Sequence, residues 1–375
     1  MKKVLLLYVM VIILCFTGIN VMSAELELSS MSACLMEPET GKVLYEKNAD
    51  ERLEPASVTK IMSLILVFEA MDEGKFDLNT QVCASEYASS MGGSQIWLEP
   101  GETMTVNDML KAVVVASAND CTVALAELVS GSEEGFVEKM NEKAMLLGMT
   151  NTHFSNSTGL PVENHYTTAR DIALMTCELH KHPEVYDYTK IWMDTLRGGE
   201  FGITNTNKLV RFYSGATGMK TGFTSSALYC MSATAKRGDM NLIAAVMKSD
   251  SSDKRFADAK KLLDYGFANY TLYKPSQPQL EKIKVLGGNK EFVKCKVLQN
   301  SILIQKGRES KITCKTELTE TVSAPVNKNE VVGKIRYYLD ENLIAEFDIV
   351  SCDDVKRLSF FELFSRYIKK CITVR

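Results

Sequence analysis

Ser57 and Lys60 are the first residues of this chain whose types and spacing suggest chemistry. They lie in Glu54-Pro55-Ala56-Ser57-Val58-Thr59-Lys60, at the start of an apolar run that predicts a helix from about Ser57 to Met71. Side chains three residues apart share a helix face, so the Ser57 hydroxyl and the Lys60 amine are expected to lie close together. A hydroxyl beside an amine is one form of activated nucleophile. Taken alone, the pair is better explained by a capping Ser57 and a solvated Lys60.

Two further polar clusters lie where this pair would need partners. Ser117-Ala118-Asn119 falls between two apolar stretches that predict helices, and Lys220-Thr221-Gly222 begins a predicted strand. Lys220 and Thr221 would place a cation and a hydroxyl along a sheet edge, a combination that can bind a carboxylate. Gly222, which has no side chain, would let a substrate backbone approach closely. Taken singly, both triplets are also common in turns and helix caps.

The N-terminus has the order of a secretory signal peptide. Lys2 and Lys3 precede an apolar run over 4–16, and small residues follow up to Ala24. A basic start, an apolar centre and small residues before the first acidic residue predict a signal peptide over 1–24. An uncleaved N-terminal anchor remains an alternative, because the apolar run is nearly long enough to span a membrane. Both interpretations place the rest of the chain outside the cytoplasm.

Ten cysteines are present, and one of them, Cys15, lies in the predicted signal peptide. Export favours disulfides. The other cysteines are odd in number and lack C-x-x-C spacing, so most are interpreted as small buried apolar residues. A disulfide between some pair stays open, because connectivity cannot be read from a sequence.

The order of elements over residues 25–272 predicts an α/β domain of the α+β type. Hairpins are expected over 33–46 and 228–247, where apolar residues alternate around a turn. The chain from Asn79 to Lys190 is expected to be mainly helical, with Thr105 and Thr168 as helix caps. Strands at both ends with helices between them predict an antiparallel sheet flanked by helices, with an inserted helical subdomain. Helices are expected to begin near Ser57, Thr105, Asp120, Glu133, Thr168 and Ser252.

Composition changes at Tyr273-Lys274-Pro275-Ser276-Gln277-Pro278, which is typical of a linker over 273–278. From 279 to 352, short alternating runs recur at close spacing and predict a small all-β domain. That domain contains no grouping of residue types that suggests catalysis.

The tail over 353–375 combines an apolar stripe with basic residues. From Asp354 onward it holds six Lys or Arg against two acidic residues, whereas the whole chain has a net charge of −4. The body is therefore acidic, which argues against nucleic-acid binding. The stripe, which includes Phe361 and Phe364, is too short and too charged to span a bilayer. It predicts an amphipathic helix lying on an anionic membrane; a helix docked on the β domain is the alternative.

Taken together and in this order, Ser57-x-x-Lys60, Ser117-x-Asn119 and Lys220-Thr221-Gly222 resemble the motif set of the serine penicillin-binding proteins. Within that group the chain resembles the low-molecular-mass D-alanyl-D-alanine carboxypeptidases of peptidase family S11. The similarity covers about residues 30–270 and implies a β-lactamase/transpeptidase-like fold; a β domain and an amphipathic tail fit the same group. It extends to Glu99-Pro100-Gly101-Glu102, Ala116-Ser117-Ala118-Asn119-Asp120, Asn151-Thr152-His153-Phe154, Thr168-Ala169-Arg170-Asp171 and Asp264-Tyr265-Gly266-Phe267.

The resemblance implies a hydrolase that trims peptidoglycan stem peptides ending in D-Ala-D-Ala and is acylated by β-lactams, with no cofactor or metal. Ser57 would attack the peptide carbonyl. Lys60 would act as general base, with a pKa lowered by burial beside Lys220. Backbone N–H groups of Ser57 and Phe223 would bind the oxyanion.

The remaining implied roles concern the leaving group and the substrate. Ser117 would pass a proton to the leaving amine, Asn119 would hold the substrate amide, and the residues around Thr221 would bind the terminal carboxylate. Arg255 matches a family arginine that would help in this. Relatives often carry His or Thr where this chain has Phe223, a difference that leaves the backbone N–H in place. The implied substrate-binding residues are Asn119, Lys220, Thr221, Gly222, Phe223 and Arg255.

Three other functions compete with this interpretation. A class A β-lactamase shares the motifs but needs a separate carboxylate for deacylation, and no Glu-x-x-Leu-Asn lies between Ser117 and Lys220. A cell-wall binding or sensor protein could keep the fold, although intact Ser57 and Lys60 count against it. A zinc peptidase would need a third ligand beside His180-x-His182, and only four histidines are present.

Overall fold

The computed structural model describes residues 26–298 and 301–373. The predicted signal peptide and the last two residues of the predicted tail lie outside that range. Among the described residues, no helix is both long and apolar enough to cross a membrane. Eight of the nine cysteines within that range, from Cys34 to Cys352 in chain order, are free thiols.

A five-stranded antiparallel sheet forms the centre of the first domain. In chain order, the strands of this domain are β1 (Ser32–Glu37), β2 (Lys42–Lys47), β3 (Gln81–Cys83), β4 (Thr103–Thr105), β5 (Met193–Leu196), β6 (Phe201–Thr204), β7 (Ala216–Thr224), β8 (Leu228–Arg237) and β9 (Met240–Ser249). The sheet has the order β2-β1-β9-β8-β7, so β7 is an edge strand. The two predicted hairpins are its β1–β2 and β8–β9 pairs.

Helices cover both faces of this sheet. They are α1 (Lys60–Asp72), α2 (Glu86–Ser89), α3 (Val106–Lys111), α4 (Asn119–Ser130), α5 (Glu133–Leu146), α6 (Ala169–Leu179), α7 (Val185–Thr189), α8 (Leu209–Phe212) and α9 (Ser252–Asn269). Alternate residues of one strand serve two cores: Cys34 and Met36 pack with the helical subdomain, and Leu35 packs with α9. The side chains alternate between the two cores because successive residues of a strand point to opposite faces of the sheet. An antiparallel sheet flanked by helices is the predicted fold class, which is confirmed.

The helical subdomain contains both confirmed and missed elements. Thr105 and Thr168 cap their helices as predicted, each accepting a bond from the backbone N–H three residues on. The short β3–β4 pair and the β5–β6 hairpin were not predicted. Arg197 at the tip of the β5–β6 hairpin bonds to Glu102, which is far away in sequence. A local sequence pattern cannot predict such a contact.

The first helix begins later than predicted. Residues Ala56–Thr59 form a 3-10 turn, and α1 starts at Lys60 rather than at Ser57. The Ser57 side chain makes no capping hydrogen bond there. The turn begins at Ala56, whose φ of 48° is left-handed, and a left-handed residue cannot be part of a regular right-handed helix.

The second domain is all β, as its alternating runs predicted. Its strands and the one leading into it are β10 (Tyr270–Tyr273), β11 (Ile283–Leu286), β12 (Phe292–Val293), β13 (Cys295–Val297), β14 (Ile302–Gln305), β15 (Ile312–Leu318), β16 (Thr321–Ser323), β17 (Val331–Leu339) and β18 (Asn342–Ser351). They form a four-stranded sheet, β13-β18-β17-β15, and a three-stranded sheet, β12-β11-β16. A separate core lies between them, with Ile335 and Ile349 fully buried. Strand β10 pairs with β14 and so ties the chain before the predicted linker to this domain.

The tail forms helix α10 (Phe360–Thr373). Ser359 and Glu362 cap its start by bonding to each other's backbone N–H groups. Arg366 contacts the β domain through the Gly288 carbonyl and the Glu291 carboxylate. Phe360, Phe361 and Phe364 lie on the exposed side, with Phe361 81 % exposed.

Gly159 is a point where the backbone of one loop presses on the turn that carries Ser57. It has a φ of +86°, and a Cβ there would lie 1.9 Å from the Ala56 carbonyl oxygen. We expect Gly159→Ala to lower the free energy of unfolding by about 3 kcal/mol, from left-handed strain plus overpacking. Gly148→Ala is the matched control, because φ there is +73° and nothing lies within 4 Å; it should cost about 1 kcal/mol. Urea unfolding measures both, and equal losses would contradict the steric argument.

Candidate active site

The turn that carries Ser57 is pressed against edge strand β7. A Cβ on Gly222 would lie 2.7 Å from the Pro55 carbonyl oxygen and 3.0 Å from the Ser57 nitrogen. Strand and turn therefore meet backbone to backbone, which only glycine at 222 permits. Ser57 itself is partly exposed, whereas Lys60 is fully buried. Ser57 thus reaches the surface, whereas Lys60 lies in the interior.

The Lys60 amine contacts three oxygens. Its Nζ lies 3.0 Å from Ser57 Oγ, 2.6 Å from Asn119 Oδ1 and 2.8 Å from the Thr158 carbonyl oxygen. The Asn119 amide is oriented by its Nδ2, which donates to the Gly92 carbonyl at 2.6 Å. A neutral amine has two N–H donors and one lone pair. In the structure the amine donates to all three oxygens. When it is neutral and its two donors are engaged by Asn119 and Thr158, its lone pair is left for the Ser57 hydroxyl, which is the geometry of a general base.

The surroundings favour that neutral amine. The pKa of Lys60 is held well below its usual 10.5, first because burial disfavours the charged form and second because Lys220 is a nearby cation. The buried carboxylate of Asp120 acts in the opposite direction. The net direction is the one that a base working near neutral pH needs.

Ser117 and Lys220 form a second hydroxyl–amine pair. Ser117 follows a π-helical turn, Ala112–Ala116, and has a left-handed φ of 65°. The Lys220 amine donates to Ser117 Oγ at 2.8 Å and to the Thr221 carbonyl at 3.0 Å. Burial, followed by the charge of Arg255, lowers the pKa of Lys220 to about 7. A lysine that titrates near neutrality beside a hydroxyl can supply or accept a proton there.

Thr221 and Phe223 differ in how far they reach solvent. Thr221 is buried, and its hydroxyl donates to Thr206 Oγ1 at 2.7 Å. The Phe223 ring is half exposed and stacks on Tyr229, its cross-strand partner, with ring centroids 4.4 Å apart. This aromatic pair is of the kind that stabilises neighbouring strands.

Arg255 lies against the strand rather than beside Ser57. Its guanidinium is buried and donates to the carbonyls of Gly222 at 3.0 Å and Cys230 at 3.2 Å. Its Nε has no partner among the described residues. These contacts hold β7 to β8, and a direct contact between Arg255 and a substrate carboxylate stays a prediction.

Two supporting residues were missed from the sequence. Asp120, fully buried, accepts the N–H groups of Ile96 and Leu98 at 3.0 Å each and so fixes the loop that reaches Asn119. His165 binds Thr59 Oγ1 at 2.8 Å, within the turn that carries Ser57. Asp120 could have been found from the sequence, since it directly follows the Ser-x-Asn motif. No sequence pattern around His165 predicts its contact with Thr59.

His165 is neutral in this position. Its Nδ1 accepts the Ser155 N–H at 3.0 Å, so the ring proton must lie on Nε2, which then donates to Thr59. Burial lowers the pKa of His165 to about 4. The ring therefore fixes the turn without adding charge near Lys60.

The two histidines of the zinc alternative have separate partners. His180 bonds to the Tyr186 hydroxyl, and His182 lies 2.9 Å from an Asp72 carboxylate oxygen. In the part of the chain that the structure describes, no group of three or more His, Cys, Asp or Glu side chains is arranged to hold a metal ion.

Comparison with known protein families shows which family the chain belongs to. The sequence matches the family model described as D-alanyl-D-alanine carboxypeptidase, peptidase S11, over residues 19–251. The chain belongs to this family. A second model, the C-terminal domain of penicillin-binding protein 5, matches residues 267–357. The relationship predicted from the three motifs is confirmed: the protein is a serine-type D-alanyl-D-alanine carboxypeptidase of the penicillin-binding protein group.

Relatives of this carboxypeptidase match over most of its length. The D-alanyl-D-alanine carboxypeptidase DacF of Bacillus subtilis is 43% identical over 352 residues, 92% of this chain and 90% of that protein. The crystal structure of penicillin-binding protein 5 from Haemophilus influenzae is 33% identical, with a TM-score of 0.79, covering 88% of this chain and 98% of that one. Penicillin-binding protein D2 of Listeria monocytogenes, solved in its ampicillin-bound form, is 33% identical with a TM-score of 0.57, covering 64% of this chain and 99% of that one.

The lowered pKa of Lys60 gives the carboxypeptidase a testable pH dependence. If Lys60 is the general base, acylation needs its neutral amine, and the acylation rate should rise with pH and level off well below pH 10.5. Removing the neighbouring cation with Lys220→Gln should raise the pKa of Lys60 and move the midpoint to higher pH, besides slowing the reaction. Stopped-flow acylation by a fluorescent penicillin from pH 5 to 10 measures both.

Lys208→Gln is the control for that experiment, because Lys208 is an exposed lysine at the N-cap of α8. Its profile should match the wild type. A wild-type midpoint near pH 10, or a shift to lower pH in Lys220→Gln, would contradict the assignment of Lys60 as the neutral base.

Proposed function

We propose that Ser57 carries the reaction, removing the terminal D-Ala of peptidoglycan stem peptides through an acyl-enzyme. The observation that supports this most directly is the placement of Lys60 Nζ, 3.0 Å from Ser57 Oγ and bonded to Asn119 and Thr158. Lys60 takes the proton from the Ser57 hydroxyl as Oγ attacks the carbonyl carbon of the D-Ala-D-Ala bond. The backbone N–H groups of Ser57 and Phe223 receive the negative charge that develops on the carbonyl oxygen.

The leaving D-Ala needs a proton on its nitrogen when the peptide bond breaks. Ser117 gives up its hydroxyl proton to that nitrogen and is reprotonated through its bond to Lys220. Before deacylation, Lys60 releases to solvent the proton that it took from Ser57, and Lys220 regains a proton from solvent. Water then attacks the ester on Ser57, neutral Lys60 takes the proton of that water, and Lys60 passes it to Ser57 Oγ as the ester bond breaks. The acid product leaves and Ser57 regains its hydroxyl hydrogen.

The terminal carboxylate is assigned to the Lys220-Thr221-Gly222 strand. Lys220 supplies positive charge and Thr221 a hydroxyl, which are suited to a carboxylate. Arg255 supports the assignment through its charge and its bond to the Gly222 carbonyl. Asn119 has its amide engaged by Lys60 and Gly92, so holding the substrate amide is a second role proposed for it.

β-Lactams are proposed to acylate the same serine. The Listeria relative was solved in its ampicillin-bound form, and a β-lactam presents a carbonyl and a carboxylate as the peptide does. A class A β-lactamase is disfavoured by the match of the C-terminal domain to that of penicillin-binding protein 5. A sensor without turnover is disfavoured by the complete hydrogen-bond set at Lys60.

One experiment separates these functions. Wild-type protein incubated with a fluorescent penicillin should be labelled covalently, and with a D-Ala-D-Ala pentapeptide it should release D-alanine. Ser57→Ala should do neither, with D-alanine release reduced at least about 10³-fold; Ser310→Ala, on the exposed surface of the β domain, should do both. Labelling without D-alanine release would favour the sensor, and rapid hydrolysis of the penicillin would favour the β-lactamase.

We also propose that the protein works outside the cytoplasm and is held to the membrane surface by α10. Three phenylalanines on its exposed side and the excess of basic residues in the tail support this. The contacts of Arg366 with Gly288 and Glu291 engage the other side of the helix. Docking on the β domain and lying on a membrane are therefore compatible, because they use different faces.

Substitution of the exposed aromatic side tests the membrane proposal. Phe360→Ser, Phe361→Ser and Phe364→Ser combined should lower binding to phosphatidylglycerol vesicles at least about tenfold, since apolar burial is lost. Phe292→Ser is the control, because Phe292 is half exposed on the β domain. Vesicle cosedimentation measures the change, and binding that is unaffected by the triple substitution would contradict the proposal.

A further inference from the structure

A pocket of about 350 Å³ opens beside the turn that carries Ser57. Glu54, three residues before the nucleophile, forms one wall, and Ser226 and Lys248 form another. The loop over 162–166 closes the third side. Its volume suits one side chain of a ligand, at the lower end of the range for small-molecule sites. No role assigned above uses these residues.

The direction of the substrate leads to this pocket. The proposed function places the terminal carboxylate at Thr221 and the reacting carbonyl between Ser57 and Phe223. Residues further upstream in the peptide must then follow β7 beyond Phe223, towards Thr224 and Ser226. Strand β7 is an edge strand, so an extended peptide can lie along it antiparallel. At about 3.3 Å per residue, the residue before D-Ala-D-Ala reaches the level of the pocket.

Lys248 is aimed at the pocket by a β-bulge. Tyr229 pairs with Ser249 and Met231 pairs with Val246, so two residues of β9 face one residue of β8. Lys248 is one of these two and has a left-handed φ of 55°. Bulges of this kind redirect a side chain and are frequent next to active sites. The local strain therefore serves the position of the lysine amine.

The pocket holds two opposite charges that do not neutralise each other. The Glu54 carboxylate accepts a bond from the Ser226 hydroxyl. The Glu54 and Lys248 side chains both line the pocket. In the part of the chain that the structure describes, the salt bridges pass in chain order from Arg237 to Lys254, with none formed by Lys248. A ligand with one charge of each sign would fit between them.

The other charged residues at the rim do not change this balance. The Arg52 guanidinium is bonded to Asn151 and stacks over Tyr166 at 5.0 Å. Glu163 is exposed on the closing loop. Arg52 and Glu163 therefore add one charge of each sign at the rim, while Lys248 and Glu54 offer an anion-binding and a cation-binding group on the pocket walls.

We infer that this pocket binds the side chain of the residue preceding D-Ala-D-Ala, and that it favours a diamino acid whose side chain ends in both an ammonium and a carboxylate. This rests on the proposed function, which sets the direction of the peptide. The ligand ammonium bonds to Glu54 and the ligand carboxylate bonds to Lys248. A lysine side chain at the same position satisfies Glu54 only and brings its ammonium towards the Lys248 cation, which disfavours it.

Two pentapeptides that differ in the third residue test the inference. One carries meso-diaminopimelate and the other carries L-lysine, and D-alanine release is measured with the full chain. We expect kcat/KM to be about tenfold higher for the diaminopimelate peptide, as for loss of one charge-assisted contact. Lys248→Met should bring the ratio of the two values close to one, by slowing the diaminopimelate peptide. Glu54→Gln should slow both peptides, because both carry the ammonium.

Comparing kcat/KM for the two peptides within each variant removes general effects on folding or reactivity. Benzylpenicillin lacks this side chain, so its rate of acylation shows whether Ser57 is still reactive. Lys236→Met is the matched control, since Lys236 is exposed at the far end of β8, and it should keep the wild-type ratio. A wild-type ratio of one or less, or a ratio unchanged in Lys248→Met, would overturn the inference while leaving the carboxypeptidase intact. Release of D-alanine from neither peptide would overturn the proposed function itself.

Discussion

One buried amine sets the conditions for the rest of the site. Lys60 has left water, so its N–H groups must find acceptors inside the protein or lose hydrogen bonds that solvent provided. Asn119 and Thr158 supply those acceptors, and Asn119 can do so only because its nitrogen is bound by Gly92. A single nitrogen atom thereby fixes α1, the start of α4 and the loop before Gly159 relative to one another. The orientation of the Ser57 hydroxyl follows from that arrangement.

The sheet fixes the position of β7, the strand that carries Lys220 and Thr221. Its strands are buried on both faces, so β7 cannot shift without disturbing two cores. Arg255 on α9 bonds to the carbonyls of β7 and β8, and Gly222 brings β7 against the turn at Pro55. Packing density makes such contacts stiff. The two lysines are therefore held by different layers of the fold, yet at a fixed separation.

Sequence reasoning singled out polar residues that the structure brings together, and it missed many that support them. Ser57, Lys60, Ser117 and Lys220 were readable because their types and spacing match the motif set of the family, and the structure pairs Lys60 with Ser57 and Lys220 with Ser117. The clamp of Asp120 on Ile96 and Leu98 and the bond of His165 to Thr59 depend on distant chain segments meeting, which no local pattern encodes. The helices and hairpins followed from periodicity and caps. The β5–β6 hairpin did not, because its stability comes from Arg197 and Glu102, far apart in sequence.

Strand β7 ends its sheet, and an unpaired strand edge is ordinarily a hazard, since its backbone groups can pair with another molecule and start aggregation. Here the turn at Ala56–Thr59 lies directly against the strand, and Lys220 ties it to Ser117. Another segment of the same chain thus covers part of this edge. A covered edge offers fewer free backbone groups to the sheet of a second molecule. The contact that brings Ser57 to β7 therefore also limits edge-to-edge self-association at high concentration.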